Sequence, residues 1–284
     1  MSSYDSSWDK DFPPVMQFID HENAYAKPWN LLMNHPCYDA AKNKEDRAAA
    51  FTLAHDLLST PINQAQLNKI VKIYSNAIIA PVHAMEANGK NRIPEMLADY
   101  IGLITRIEVN DNIIQSNKVH RTGSDEWHRF AFRPTFDGPV LPNHNYILVD
   151  DVFAYGGSFN ELRLHIERNG GKVVQTAVIS LGGHGNKIAP EPQLIKSLID
   201  RHGENNLNLF LKEINLYDGN YKALTNPEAF ALGRTASLDA ARDRILKARQ
   251  ERRTSMGAES FQEIGDKTST ITSVDDEHRR KIRR

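Results

Sequence analysis

NYILVDDVFAYGGSFNEL, residues 145–162, decides how this chain is read. Tyr146 to Val149 form a short apolar run of the kind found in buried strands. Asp150 and Asp151 follow at its end. A turn comes next, Ala154-Tyr155-Gly156-Gly157-Ser158, and then a helical pattern carried by Phe159, Leu162 and Ile166. Asn169-Gly170-Gly171 closes that helix. Strand, acidic pair, glycine turn and helix together make half of a βαβ unit of the nucleotide-binding type.

This order has a physical purpose. In an open parallel sheet, ligands sit beyond the carboxyl ends of the strands. A helix N-terminus presents unpaired N–H groups and partial positive charge, which suit a phosphate. Glycines let the backbone come close to phosphate oxygens, and the Ser158 hydroxyl adds a donor. The two carboxylates suit vicinal sugar hydroxyls or a bound divalent cation. A ribose carrying a 5′-phosphate satisfies both halves. Two other readings of the stretch stand beside this one. A strand ending in two aspartates also opens receiver domains of response regulators, but there the pair lies near the N-terminus and no Gly-Gly-Ser turn follows. A plain structural turn is the third reading. The chain contains neither GxxxxGK[ST] nor GxGxxG, so P-loop and dinucleotide fingerprints have no support.

ILVDDVFAYGGS resembles the phosphoribosyl pyrophosphate (PRPP) motif of type I phosphoribosyltransferases: a hydrophobic strand, two acids, then a loop rich in Thr and Gly. The resemblance implies that Asp150 and Asp151 bind the ribose hydroxyls, and that Ala154, Tyr155, Gly156, Gly157 and Ser158 hold the 5′-phosphate. Tyr155 departs from the pattern, because the family has a small hydroxyl residue there. The implied fold is α/β, a phosphoribosyltransferase-like parallel sheet flanked by helices. An N-terminal helical extension precedes it and a C-terminal helix with a disordered tail follows. The similarity covers roughly residues 75–215.

Composition sets the outer bounds. With 284 residues and 40% hydrophobic content, the chain can bury one main core with extensions. A net charge of -1 gives no overall nucleic-acid signal. The single cysteine, Cys37, forms no intrachain disulfide framework and no Cys-rich zinc site, which fits a reducing cytoplasm. MSSYDSSWDKDF does not read as a signal peptide. No apolar run reaches the roughly twenty residues of a membrane span.

Taken in order, the expected layout is an N-terminal arm and helices over 1–74, a core with a hood over 75–235, a basic amphipathic helix over 236–253, and a disordered tail over 254–284. Residues 1–30 read as an arm that packs on a neighbour or stays loose, with Phe12, Phe18, Tyr25 and Trp29 as its buried part. His21 and His35 have no metal spacing. One helix is expected over 38–58 and another over 62–74. AIIAPVH, residues 77–83, reads as a buried strand. IPEMLADYIG, residues 93–102, reads as a helix with Pro94 in its first turn. In the resembling family the intervening loop cradles pyrophosphate, and Lys90 and Arg92 stand at that position; solvated surface charge is the equal alternative.

A second strand is expected within 103–114. The segment from Gln115 to Pro142 is long, polar and broken by Gly and Pro, as functional loops often are. It carries Lys118, His120, Arg121, His128, Arg129 and Arg133 among Trp127, Phe130 and Phe132. The resemblance places here a hairpin that closes over the site, with Lys118, Arg121 and Arg129 clamping pyrophosphate. A surface hairpin with aromatic anchors is the plainer reading. KVVQTAVISL, residues 172–181, is the next buried strand, and it leads into Gly182-Gly183-His184-Gly185. The resemblance places the acceptor near His184; an incidental histidine in a turn fits equally. Further expectations are a helix over QLIKSLIDRHG, a short strand over LNLFLKEI, and a helix N-capped by Thr225 with Pro227 and Glu228 in its first turn. In LDAARDRILKARQERR, residues 238–253, a narrow apolar stripe of Leu238, Ala241, Ile245 and Ala248 faces Arg242, Arg244, Lys247, Arg249, Arg252 and Arg253. That surface, with the basic end at 279–284, fits nucleic acid, a partner, or a solvated helix face.

Two functional classes follow. The first is an enzyme that binds PRPP with Mg²⁺ and transfers phosphoribosyl to a nitrogen acceptor, nucleobase-like, with release of pyrophosphate. Catalysis would rest on positioning and charge neutralisation by Asp150, Asp151, Lys118, Arg121 and Arg129. No protein metal cage is needed, because Mg²⁺ bridges phosphates and keeps its waters. The second is a non-catalytic regulator that binds PRPP or a nucleotide and contacts nucleic acid or a partner through its basic C-terminus. A homodimer is expected by resemblance. A plain structural α/β module is the third possibility.

Overall fold

The computed structural model describes residues 4–19, 28–83, 85–86, 89–117, 119 and 125–252. In chain order its elements begin with β1 (Met16–Gln17), α1 (Pro28–Met33), α2 (Tyr38–Asn43), α3 (Arg47–Leu58), α4 (Pro61–Tyr74) and β2 (Ala77–Pro81). They continue with β3 (Met85–Glu86), β4 (Gly89–Lys90), α5 (Ile93–Thr105), β5 (Glu108–Val109), β6 (Ile114–Gln115), α6 (Glu126–Ala131) and β7 (Phe136–Asp137). The last are β8 (Asn145–Phe153), α7 (Gly157–Arg168), β9 (Lys172–Leu181), α8 (Pro192–His202), α9 (Glu204–Glu213) and α10 (Asn226–Gly233). A further helix, α11, covers 238–252.

Five strands form one parallel sheet in the order β1-β9-β8-β2-β5. From β2 the chain moves outward to β5, then returns to lay β8 on the other side of β2. The strand order therefore reverses between β2 and β8, where such sheets leave a crevice at their carboxyl ends. Helices cover both faces, so the strands are apolar throughout rather than alternating in polarity. Ile79, Ile147, Val149, Ala177 and Ile179 pack with α2, α3, α4 and α5. Ile78, Ala80, Tyr146, Leu148 and Val178 face the other way, onto Phe159, Leu162 and Ile166 of α7. A third cluster joins Trp127 and Phe130 of α6 to α8, α9, α10 and α11, and reaches α7 through Leu164. Among the described residues no helix is long and apolar enough to cross a membrane.

Several local expectations change. The helix expected over 38–58 is two, α2 and α3. Glu45 takes φ 56°, and Asp46 starts α3 by accepting a bond from the Ala49 N–H. The strand expected within 103–114 is present but short, because α5 runs on to Thr105 and β5 covers only Glu108–Val109. LNLFLKEI is helical, within α9 and its end. Leu207, Phe210, Leu211 and Ile214 are buried while Leu209 is 59% exposed, which is a helical period and not an alternating one. Within the expected hairpin region, β6 and β7 pair antiparallel, and α6 stands between them in the chain.

The N-terminal arm packs on its own chain. Residues 4–19 run along β9 and across to the C-terminal helices. Val15, Phe18 and Ile19 donate backbone bonds to Asn186, Val178 and Ile179. The Trp8 indole N–H donates to the Ala223 carbonyl at 3.2 Å, and the Arg163 guanidinium lies 4.0 Å from the centre of the Trp8 ring. Arg163, itself buried, donates to the Ser6 carbonyl at 2.7 Å, to Asn160 and to Glu167. Phe12 packs edge-on against Trp8. His35 is structural, accepting from the Cys37 N–H. The assignments at His21 and Tyr25, and the Trp29 side chain, lie outside what is described, as does the tail from 253 onward. Trp8→Ala should cost about 3–5 kcal/mol, since it removes a large buried ring and uncovers a buried guanidinium. Urea denaturation of the full chain would show this as a lower midpoint, and a midpoint unchanged from wild type would mean the arm adds nothing.

Candidate ligand site at the carboxyl edge of the sheet

β8 stays paired with β9 as far as Phe153, while its pairing with β2 stops at Val149. The acidic pair is thus still inside the strand on one side and open on the other. Asp150 is half-buried and Asp151 only 6% exposed. Asp151 lies on the side of α2 and α5. Its Oδ2 receives the Lys42 ammonium at 2.7 Å and the Asn91 amide at 3.0 Å. Asn91 in turn accepts from the Ile93 N–H at 3.1 Å, so the start of α5 orients it. Asp150 Oδ1 accepts from the backbone N–H of Asp151 at 2.8 Å.

The two carboxyls are electrostatically unlike. Burial, and then the charge on Asp151, raises Asp150 well above the ordinary aspartate range. Burial would raise Asp151 too, but the charge and hydrogen bond of Lys42, with the Asn91 amide, outweigh it and hold Asp151 low.

Lys90 and Arg92 are not freely solvated, their side chains being 22% and 20% exposed. Both reach the buried Glu95 in the first turn of α5, at 3.1 and 2.9 Å, and Arg47 pairs with its other oxygen. These cations hold Glu95 low against the effect of burial. His83, at the end of β2, is buried 3.9 Å from Glu95. Neither of its ring nitrogens has a hydrogen-bond partner among the described residues. Burial first, and the Lys90 charge second, push its imidazole down to about 4, so it is neutral at ordinary pH.

The glycine turn follows directly. Gly156 caps α7 with φ 73°, a conformation that favours glycine. A Cβ there would lie 2.9 Å from the Phe153 ring and 3.2 Å from the Thr225 methyl. Gly156 and Gly157 are buried, while Ala154, Tyr155 and Ser158 are half-buried. Thr225 donates to the Tyr155 carbonyl at 2.7 Å, and Arg133 donates to the Gly157 carbonyl at 3.4 Å. Arg133 also pairs with Glu161 at 2.9 Å, with Glu228, and with the Tyr217 hydroxyl. The turn is therefore clamped from the C-terminal cluster.

The Tyr155 ring points across to the hairpin. Its hydroxyl donates to Glu126 at 3.2 Å, Arg129 lies 5.4 Å from its ring centre, and His184 packs at 4.5 Å. Glu126 also binds Arg234 at 2.8 Å. The fold thus brings Arg129 and His184 to the glycine turn, both against the Tyr155 ring. Lys118 and Arg121 lie outside the described residues. The motif does not point to Lys42, Asn91, Glu95 or Thr225. Lys42 carries no sequence signal, being one lysine in an alanine-rich helix; Asn91 and Glu95 sit in the expected loop and helix.

Much of the basic face of α11 is spent on its own cluster. Arg242 pairs with Glu213 at 2.7 Å and with Asp239, and Arg249 donates to the Ile214 carbonyl at 2.8 Å. Arg244 and Arg252 lie over the Trp127 and Phe132 rings at 5.2 and 4.4 Å. Lys247 faces Glu251 at 3.8 Å. Arg253 and 279–284 lie outside the described residues.

No family model matches the chain. It is 38% identical over 262 residues to Protein TraN of Escherichia coli, covering 91% of this chain and 55% of that protein. It is 37% identical over 164 residues to an uncharacterized protein of Haemophilus influenzae, covering 57% of this chain and 34% of that protein. The chain therefore spans about half the length of the first relative, and the second alignment about a third of the other.

Proposed function

We propose that the crevice binds PRPP with Mg²⁺, and that the protein is phosphoribosyltransferase-like in fold and in chemistry. One observation carries this reading. The acidic pair, the glycine turn and the N-terminus of α7 follow one another along β8, at the point where the strand order reverses. Asp150 and Asp151 would take the ribose hydroxyls, and the backbone of 154–158 the 5′-phosphate. The hairpin that carries Arg129 would close on the pyrophosphate. A nitrogen acceptor then forms its bond to C1 of the ribose as the C1–oxygen bond breaks, and pyrophosphate leaves with the bonding electrons. Among the described residues no group of three or more His, Cys, Asp or Glu could hold a metal ion. The cation would ride on the phosphates of PRPP with its waters and offset their charge.

A second reading is favoured by the Lys42–Asp151 contact and by the Tyr155 ring, which the hairpin residues Glu126 and Arg129 already engage. Under it the pocket senses PRPP or a nucleotide without turning it over. Calorimetry with PRPP and Mg²⁺ tests binding, beside Asp150→Ala, which should keep the fold and lose binding roughly tenfold or more. A folded wild-type protein that takes up no PRPP ends both readings. Binding without pyrophosphate release across a panel of bases selects the second.

A further inference from the structure

We propose that Lys42, from the N-terminal helical layer, is a positioning residue of this site. By binding Asp151 and not Asp150, it makes the two neighbouring aspartates unlike, one a fixed acceptor and the other a donor, to match the two hydroxyls of a ribose diol. The inference rests on the ribose reading above and adds a residue from outside the motif.

The geometry is specific. Lys42 Nζ lies 2.7 Å from Asp151 Oδ2, and the Asn91 amide reaches the same oxygen at 3.0 Å. The bond given to Asp150 comes from a backbone N–H. The Lys42 side chain is only 13% exposed and its ammonium lies 5.8 Å from the centre of the Tyr38 ring. Its helix cannot drift from the site, because the Arg92 N–H donates to the Ala41 carbonyl at 3.1 Å and Ala41 is buried. α2 and the residue before α5 are thus stitched together on either side of Asp151.

Two carboxylates this close do not both ionise readily, so the nearest cation decides which one keeps the proton. Among the described residues, the groups facing the pair are Lys42 from α2, the uncharged Asn91 before α5, and each other. The Lys42 ammonium on Asp151 leaves the proton with Asp150. A diol offers two O–H donors and lone pairs on both oxygens. A carboxylate beside a carboxylic acid answers it in one register. Two equivalent carboxylates sharing a proton would answer it in two.

The test compares wild type, Lys42→Met and Lys42→Arg as full chains. Carboxyl NMR of aspartate-labelled protein reads the free state. In wild type Asp151 should be ionised, and Asp150 should keep its proton at pH values where ordinary aspartates have lost theirs. Lys42→Met should move the Asp151 titration upward, and Lys42→Arg should restore the wild-type order. PRPP with Mg²⁺ should bind Lys42→Met roughly tenfold more weakly than wild type, with Lys42→Arg close to wild type. A titration of the pair that Lys42→Met leaves unchanged overturns the proposal. So do two wild-type aspartates that titrate together in the ordinary range, a result that needs no variant to fold. The expected proton order without any PRPP uptake by wild type overturns the diol role through its ligand, and is told apart by the NMR arm.

Discussion

Arg133→Met is expected to destabilise the protein by about 3–5 kcal/mol, because it strips the cation from a buried cluster and leaves its carboxylates behind. Glu228 is almost fully buried; Glu161 is partly so. Glu228 is also the third residue of α10, where its carboxylate accepts from the Thr225 N–H while Thr225 caps the helix in return. Tyr217 donates to the same carboxylate at 2.8 Å. With Arg133 gone, Glu228 keeps those neutral donors but loses its charge partner. The damage should spread to the glycine turn, since Arg133 holds the Gly157 carbonyl.

A double-mutant cycle separates charge from packing. Gln serves a capping box as Glu does, so Glu228→Gln removes the charge and keeps the cap. If the ion pair carries the effect, Arg133→Met should cost less in the Glu228→Gln background, by about 1–3 kcal/mol of coupling. Chemical denaturation of the four proteins measures it. Strictly additive losses would mean that Arg133 acts through packing alone.

The fold was legible where its causes are local. The apolar runs at 77–83 and 172–181 gave strands, and the capping signal at Thr225 gave α10, because neighbours in sequence decide these. The stretch 145–162 placed the acidic pair and the glycine turn at the edge of the sheet for the same reason. What failed was set by partners far away. LNLFLKEI alternates and also recurs every three to four residues, and only packing in the C-terminal cluster chooses helix, turning Leu209 outward. Lys42 stands 109 residues from Asp151, and Arg133 stands 95 from Glu228. No local pattern encodes such pairs.

Asp150 and Asp151 are adjacent and chemically identical, yet replacing them should shift stability in opposite directions. Asp151 is held low in the folded state, chiefly against burial and by Lys42. Such a group stabilises the fold above its unfolded value, about 3.9, and that stability is lost as pH falls through the folded value. Asp151→Asn removes it and also leaves the Lys42 ammonium buried without its carboxylate, at a cost of about 3 kcal/mol or more at neutral pH. Asp150 is raised in the folded state by burial and by Asp151. The unfolded chain releases that proton first, so stability declines as pH rises from about 3.9 toward the raised value. Asp150→Asn abolishes the decline, and should leave the protein more stable than wild type at neutral pH. Denaturant titrations from about pH 4 to pH 8 would show the two variants diverging on either side of wild type as pH rises. The same sign for both would mean that the carboxyls share their proton equally, and the asymmetry imposed by Lys42 would then have no energetic consequence. A more stable Asp150→Asn that no longer binds PRPP would be the signature of a group kept at the expense of stability for the sake of its ligand.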